Sequence, residues 1–595
     1  MKIKYINGTR LYRAFLAGAH QIYSRQDHLN KINVFPVPDA DTGTNLSFTI
    51  RSIIDSSSVE NSVELTMRSI ADAALLGARG NSGVIFAQYI HGVAEEIGSR
   101  IHLTTQGFGE AVKRAVRHAY QAMSSPQEGT MITVIREWAE AVYRLRQKTD
   151  DFVELLSLSI AAARKSLLET PQKLKVLAKA GVVDAGAQGF VDFLEGISHF
   201  IAYGRLKDIT QKIVARIKSR VHVSAVEDDL HYRYCAEAFI RGEAEKTVEA
   251  ASVRRAIDPW GDSVIVAGSR EHLKVHIHTD SPAEVFEQLR HFGTIIQQKV
   301  DDLKMQYMVN HQRKSNIALV TDSTCDLPRR ILDEYQIHVV PVKLNIGDSS
   351  FLDKLTITPD QFYGRLDDVE TYPTTSQPAV QDFQNMFSYL SDHYDSIIAL
   401  QLSGGLSGTF SSARTAANNL GDKKITVIDS KNISVALGLL VLRAAESIRA
   451  GKSHEEVVSL IHQWIPGTRL FVTMRTMKYL IRSGRVSPMT GFIANLLRLR
   501  PIISLNAEGK TFKLTQAFVG IPGMKKVVAR VQKMMQTGAL WNYAVAHGRA
   551  PFVARWYEKN LSSIFQREPI CNLEISPVIG LHVGIGTAGV AVMMK

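Results

Sequence analysis

The spacing of apolar residues changes along this chain, and that change limits the fold more than any single motif does. Up to about Gly204 apolar positions recur every three to four residues, as at Leu11, Phe15, Gly18 and Ile22 and again over 110–123, so this part reads as amphipathic helices. From about Ala225 the pattern shortens to the alternations of YCAEAFI, GDSVIVAG and LKVHIHTD, which read as strands beside a helix near 282–289. From Asn316 strand and helix patterns follow one another, with strands expected at 317–324, 338–346, 396–403 and 424–430. The expectation is a multidomain protein: an all-α domain over 1–203, a basic linker over 204–224, a small α/β middle domain over 225–310, and a larger α/β domain over 315–595 that follows a link near 305–316.

Loops between the helical stretches carry the first chemistry. In NVFPVPDADTGTN, Pro36 and Pro38 fix the local backbone and remove two amide donors, so the segment is a stiff loop presenting Asp39 and Asp41 side by side. Two adjacent carboxylates are hard oxygen ligands suited to a small cation that also takes phosphate oxygens, and a solvated turn is the plain alternative. GARGNSGV, with Gly80, Asn81 and Ser82, and EGTMITV, with Gly129 and Thr130, place small residues before helical patterns, where backbone amides can surround phosphate. GVVDAGAQGF adds Asp184 in similar company. Glycine-rich turns also serve as ordinary helix stops.

Further along, His276 and His278 stand two apart in VHIHTD, so on a strand both rings leave the same face. Cys235 on another strand completes a cysteine and two-histidine set of the kind that binds zinc, with water or a carboxylate as fourth ligand; surface or hydrogen-bonded histidines are the plain alternative. With no substrate pocket evident near them, a structural metal is the expectation. In the last part, ligands bind at the carboxyl edge of an open α/β sheet, which makes PTTSQP and SGGLSGTF the natural site. The hydroxyls of Thr375, Ser376 and Ser407, with the amides around Gly408, suit one anionic head group, and helix capping is the alternative. The net charge of +12 is spread along the chain without a basic block interleaved with aromatics, so nucleic acid is not expected as a partner. Three distant cysteines indicate no disulfide framework. No apolar run is long enough to cross a bilayer and MKIKYINGTR lacks a signal-peptide core, so a cytoplasmic location is expected.

The four N-terminal segments, in this order, resemble the DhaL-type domain of the dihydroxyacetone kinase family, and more closely the form in FakA-type fatty acid kinases. The resemblance implies an antiparallel helical barrel that binds ATP with magnesium at Asp39 and Asp41, Asn33 being a weaker ligand candidate. Thr42, Thr44, Asn45, Gly80, Asn81, Ser82, Gly129, Thr130 and Asp184 become nucleotide-binding residues. Ala40 stands where that family usually has glycine. The middle segments resemble the FakA-type middle domain, which implies zinc at Cys235, His276 and His278. VTDSTCDLP, TSQP, SGGLSGTFSSA, VIDSKNISVALGLL, IRSGRVS and ISPVIGLHVGIG resemble the DegV family of fatty-acid-binding proteins, which implies a two-lobed fold with a buried acyl tunnel. By those motifs Thr375, Ser376, Ser407 and Gly408 hold the carboxylate, while Arg485 and His582 lie near the phosphoryl-transfer end, with His547 an alternative to His582. Ser483 replaces a glycine in IRSGRVS.

Together these resemblances imply a fatty acid kinase, forming an acyl phosphate from ATP and a bound long-chain fatty acid for phospholipid synthesis. They imply a homodimer with transient contact at the inner face of the membrane and an acyl-phosphate-using acyltransferase as partner. Two other readings are a small-molecule kinase of the dihydroxyacetone type and a non-catalytic lipid carrier.

Overall fold

The computed structural model describes residues 2–35, 41–204, 231–242, 248–268, 271–367, 372–421, 423–483, 500–517, 520–536 and 538–595. Asp39, Ala40, Arg485 and nearly all of the expected linker lie outside the described residues. The chain divides into two compact units, Met1–Tyr307 and Met308–Lys595.

The first unit begins with a ring of helices. Asn7 caps α1 (Gly8–Lys31) by accepting the Arg10 N–H, and Leu11, Phe15, Gly18 and Ile22 form part of its buried face. Then follow α2 (Thr42–Ser56), α3 (Val63–Gly77), α4 (Gly80–Ile97), α5 (Thr105–Ala122), α6 (Met131–Leu145), α7 (Phe152–Leu168), the short α8 (Thr170–Lys173) and α9 (Lys175–Ala180), and α10 (Ala185–Tyr203). From α1 to α7 each helix packs on the next, and α10 closes the ring by packing on both α7 and α1. A two-residue ladder between β1 (Tyr5–Ile6) and β2 (Leu103–Thr104) ties the entry of α1 to that of α5.

The middle region is an antiparallel sheet in the order β4-β5-β3-β6, formed by β3 (Tyr234–Arg241), β4 (Asp262–Gly268), β5 (His272–Thr279) and β6 (Thr294–Asp302). Strand alternation divides its side chains between two surroundings. Ala236, Ala238, Ile240, Val275 and Ile277 pack with α11 (Ala250–Ile257) and α12 (Pro282–Leu289), whereas Phe239, Ile265 and Ala267 join the apolar core of the helical ring. Where a link was expected over 305–316, the chain forms α13 (Leu303–His311).

The second unit is two-lobed. Its first sheet, β13-β12-β7-β8, is parallel and contains β7 (Ile317–Asp322), β8 (His338–Val340), β12 (Ser396–Gln401) and β13 (Ile425–Asp429). The stretch 338–346, expected as one strand, is broken at Pro341, which has no N–H for a ladder. Its second half becomes β9 (Lys343–Ile346) in a separate sheet with β10 (Ser349–Leu352) and β11 (Thr374–Ser376). The other lobe is a mixed sheet, β16-β15-β14-β19-β17-β18, built from β14 (Thr468–Thr473), β15 (Arg500–Leu505), β16 (Thr511–Ala517), β17 (Leu540–Gly548), β18 (Asn572–Glu574) and β19 (Thr587–Met594). A largely buried helix, Ser434–Arg449, packs on strands of both lobes. Among the described residues no helix is long and apolar enough to cross a membrane.

Candidate functional site

A cleft of about 510 Å³, counting the open solvent at its mouth, lies where the starts of α2 and α4 meet the middle sheet. Asn33, Asp41, Thr42, Asn45, Gly80, Asn81 and Ser82 line it from the helical side. Asp41 is the N-cap residue of α2, yet its carboxylate does not cap that helix. Gly80 opens α4 with φ +59°, and a Cβ there would fall 2.4 Å from Asn45 Nδ2, so only glycine lets the two helix starts come this close. The side-chain oxygen of Asn81 is buried without a hydrogen-bond partner, which marks a place for a donor or a cation.

The opposite wall is a sheet face that the sequence reading saw only in part. On it Cys235 stands across from His278 on β5 and from Asp301 on β6, and Glu237 stands across from His276 and from Lys299. Six reactive or charged side chains thus form two rows across three strands, all lining the cleft. Cys235 Sγ is 3.7 Å from His276 Nδ1, the two imidazole centroids are 5.1 Å apart, and the ligand atoms of Cys235, His276 and His278 all lie within 4.8 Å of one another.

Burial pushes the Cys235 thiol well up, and the nearby carboxylates of Glu237, Asp301 and Asp41 push in the same direction. Burial, with the neighbouring His276, lowers His278 to about 3, so its ring is neutral and able to ligate at pH 7. His276 Nε2 is buried without a hydrogen-bond partner. A soft thiol, two imidazoles and an orphaned ring nitrogen fit zinc, and zinc would hold the cysteine as thiolate. A structural metal was expected because no pocket was evident beside these residues; that premise does not hold, since the triad shares its cleft with Asp41, Asn45 and Asn81.

Glu237 joins the two walls. Its Oε1 accepts the Gly80 N–H at 2.6 Å, at the start of α4 where phosphate was expected to find a free amide. Burial opposes its charge, but Lys274 at 3.2 Å and the hydrogen bond to His276 at 3.4 Å hold its carboxyl well below the usual range.

Four other expected nucleotide residues have local structural partners. Thr44 exchanges hydrogen bonds with Asn30, donating its N–H to Oδ1 at 3.0 Å and accepting from Nδ2 at 2.9 Å, which pins α2 to α1. The Gly129 N–H goes to Thr133 Oγ1 at 2.9 Å, and the Thr130 hydroxyl goes to the Gln127 carbonyl at 2.8 Å. Asp184 is the N-cap of α10, accepting the Ala187 N–H at 2.7 Å, and burial raises its carboxyl to about 6. None of the four lines the cleft described above.

In the second unit, the TSQP and SGGLSGTF segments come together through Gln377, which the sequence reading did not single out. A Cβ on Gly408 would lie 1.9 Å from Gln377 Oε1, and Gln377 Nε2 donates to Ser412 Oγ at 3.1 Å. Gly408 is the N-cap residue of the helix Thr409–Asn419, and Ser407 Oγ is 2.9 Å from Thr409 Oγ1. Ser376 accepts from Asn345 Nδ2 at 3.4 Å, while Thr375 stands opposite Leu344 on β9. His582 is half-buried on the helix Pro577–Val583. His547 accepts the Ala550 N–H at 3.4 Å, a turn-forming role at the start of the helix Pro551–Phe565.

Comparison with known proteins divides the chain in the same way. The DAK2 domain model matches residues 36–199, that of the FakA-like fatty acid kinase middle domain matches 231–309, and that of the uncharacterised DegV family matches 316–595. An uncharacterized protein of Staphylococcus haemolyticus is 33% identical over 314 residues, covering 51% of this chain and 56% of its own length. One from Staphylococcus saprophyticus is 31% identical over 330 residues, covering 54% and 59%. The chain thus spans somewhat more than half the length of these curated relatives. Among solved structures, a fatty-acid-binding DegV family protein from Thermus thermophilus is 26% identical with a TM-score of 0.44, covering 47% of this chain and 99% of that one. DegV from Bacillus subtilis, described as a fatty acid binding protein, is 27% identical with a TM-score of 0.44, covering 47% and 100%. Stretches that match a DAK2 domain, a FakA-like middle domain and the DegV family therefore follow one another in a single chain.

Proposed function

We propose that the protein is a fatty acid kinase, in which the cleft of the first unit binds ATP and the DegV-family domain presents a long-chain fatty acid as phosphoryl acceptor. The observation that carries this reading is the cleft itself, in which Asp41, Asn45 and the unsatisfied Asn81 oxygen face Cys235, His276 and His278. A kinase-type helical domain and a fatty acid kinase-type middle domain build this cleft together, and a DegV-family domain follows in the same chain.

A fatty carboxylic acid has a pKa of roughly 4 to 5, close to that of a glutamate, so at neutral pH it is already a nucleophile and needs no general base. One carboxylate oxygen forms a bond to the γ-phosphorus while the bond to the β–γ bridging oxygen breaks, and that electron pair leaves on ADP. Asp41, with Asn33 beside it on the cleft wall, offers hard oxygen donors of the kind that would hold magnesium, together with Asp39 outside the described residues. A magnesium ion held there would supply charge neutralisation for the polyphosphate. In the second unit, Ser407, Gly408 and the TSQP segment would hold the carboxylate with neutral donors and leave its charge available for attack.

The test is formation of hydroxylamine-trappable acyl phosphate from ATP and magnesium by the full chain, with oleate and palmitate against dihydroxyacetone. The reading predicts product with the fatty acids. Phosphorylation of dihydroxyacetone alone would make the protein a small-ketone kinase, and no transfer to either acceptor would leave a lipid carrier.

A further inference from the structure

The metal and capping roles described above leave Lys299 unused, although it is the single lysine or arginine among the described residues lining the cleft. Three carboxylates, Asp41, Glu237 and Asp301, share that lining with it. Strand register explains its placement: Lys299 is two residues before Asp301 on β6 and directly across from Glu237, so it leaves the same sheet face as the cysteine and histidines. It forms an ion pair with Asp301.

The two lysines of this sheet face differ in access. Lys274, with a side chain 7% exposed, is sealed against Glu237, whereas the Lys299 side chain is 34% exposed. An ammonium has three donors, and one carboxylate partner does not exhaust them. Burial opposes the Lys299 charge, but Asp301 and Glu237 more than compensate and keep the group protonated.

We propose that the Lys299 ammonium hydrogen-bonds the terminal phosphate of the bound nucleotide, so that the middle domain contributes a phosphate-contacting residue to the phosphoryl-transfer site. The proposal rests on the reading of this cleft as the nucleotide site. A triphosphate entering a wall that carries three carboxylates needs fixed positive charge beyond its metal, and a loose transition state spreads charge over the three equatorial phosphoryl oxygens, where such a group can meet it. Lysine acts here as a point charge and keeps its proton throughout, while the bonds made and broken are those given above.

The alternative is that Lys299 serves only to neutralise Asp301. Two variants of the full chain separate the possibilities: Lys299→Met, and Lys299→Met combined with Asp301→Asn, which removes both charges together. Calorimetric titration with magnesium ATP and with AMP gives the readout. Loss of a charge-assisted phosphate contact is expected to weaken ATP binding roughly 10- to 100-fold in both variants, with AMP affinity unchanged. An ATP-to-AMP preference equal to wild type in the double variant overturns the proposal, and that variant decides the matter if the single one fails to fold. Wild-type protein that binds neither nucleotide overturns the reading of the cleft itself, and the proposal with it.

Discussion

In the first unit ionisable side chains collect on the walls of a cleft, whereas in the second a carboxylate is paired inside and the TSQP and SGGLSGTF loops carry neutral hydroxyls and amides. Asp326 shows the second arrangement: its fully buried carboxylate is met by Lys354 Nζ at 2.7 Å, Ser434 Oγ at 2.5 Å and the Ser576 N–H at 3.3 Å. Asp322 is similarly consumed by the Leu402 N–H at 2.8 Å and the Thr324 N–H at 3.0 Å. Asp41, Asp301 and Lys299 instead stand at a surface that a ligand can reach. Under the proposed function, the difference follows from the chemistry each region would perform. A site for a metal-bound polyphosphate needs charges that can be shared with the ligand, while a site for a carboxylate nucleophile must hold it without neutralising it.

The sharpest way to break this contrast is Asp41→Asn, expected to lower acyl phosphate formation by about 10²- to 10³-fold while the far-ultraviolet circular dichroism stays the same. A loss no larger than that from removing one hydroxyl in the second unit would erase the distinction. Lys354→Met should act on stability instead, costing about 3 kcal/mol in urea denaturation because it strands the buried Asp326 carboxylate. A stable variant would show that this charge pair is not an internal strut. Cys235→Ser, or treatment with 1,10-phenanthroline, is expected to remove zinc measured by mass spectrometry and to cut turnover at least roughly tenfold, because the triad lines the cleft. Turnover that survives complete zinc loss would return the triad to a purely structural role. The smallest effect belongs to Ser407→Ala, which should weaken fatty acid binding by about 1 kcal/mol and leave ATP binding alone.

Much of this was legible where local periodicity carries the information. His276 and His278 share a face by strand alternation, and the helix starts announced themselves through glycine, asparagine and serine. Glu237, Lys299 and Asp301 escaped notice because charged residues spaced two apart on a strand usually mark a solvated face. Their significance appears only in the register, which sets Cys235 between His278 and Asp301, and in a partner far away in sequence, since the Gly80 N–H that Glu237 accepts is 157 residues distant. Asp184 and Thr44 are ambiguous in the sequence for a different reason. A short polar residue at a helix start looks the same whether it caps the helix, staples it to a neighbour or meets a ligand. The signal for splitting 338–346 was present in Pro341 and was outweighed by the apolar run around it.

Phe239, Ile265 and Ala267 of the middle sheet belong to the same apolar cluster as the helical ring, and Ser124 donates its N–H to the Val264 carbonyl at 3.1 Å. A gene fragment ending near residue 204 would therefore carry a greasy scar on its flank and lack one side of its cleft. Grafting the helical ring into another protein would have to bring the sheet along with the helices. The unit that keeps this cleft whole is Met1–Tyr307, although the family matches divide it between residues 199 and 231.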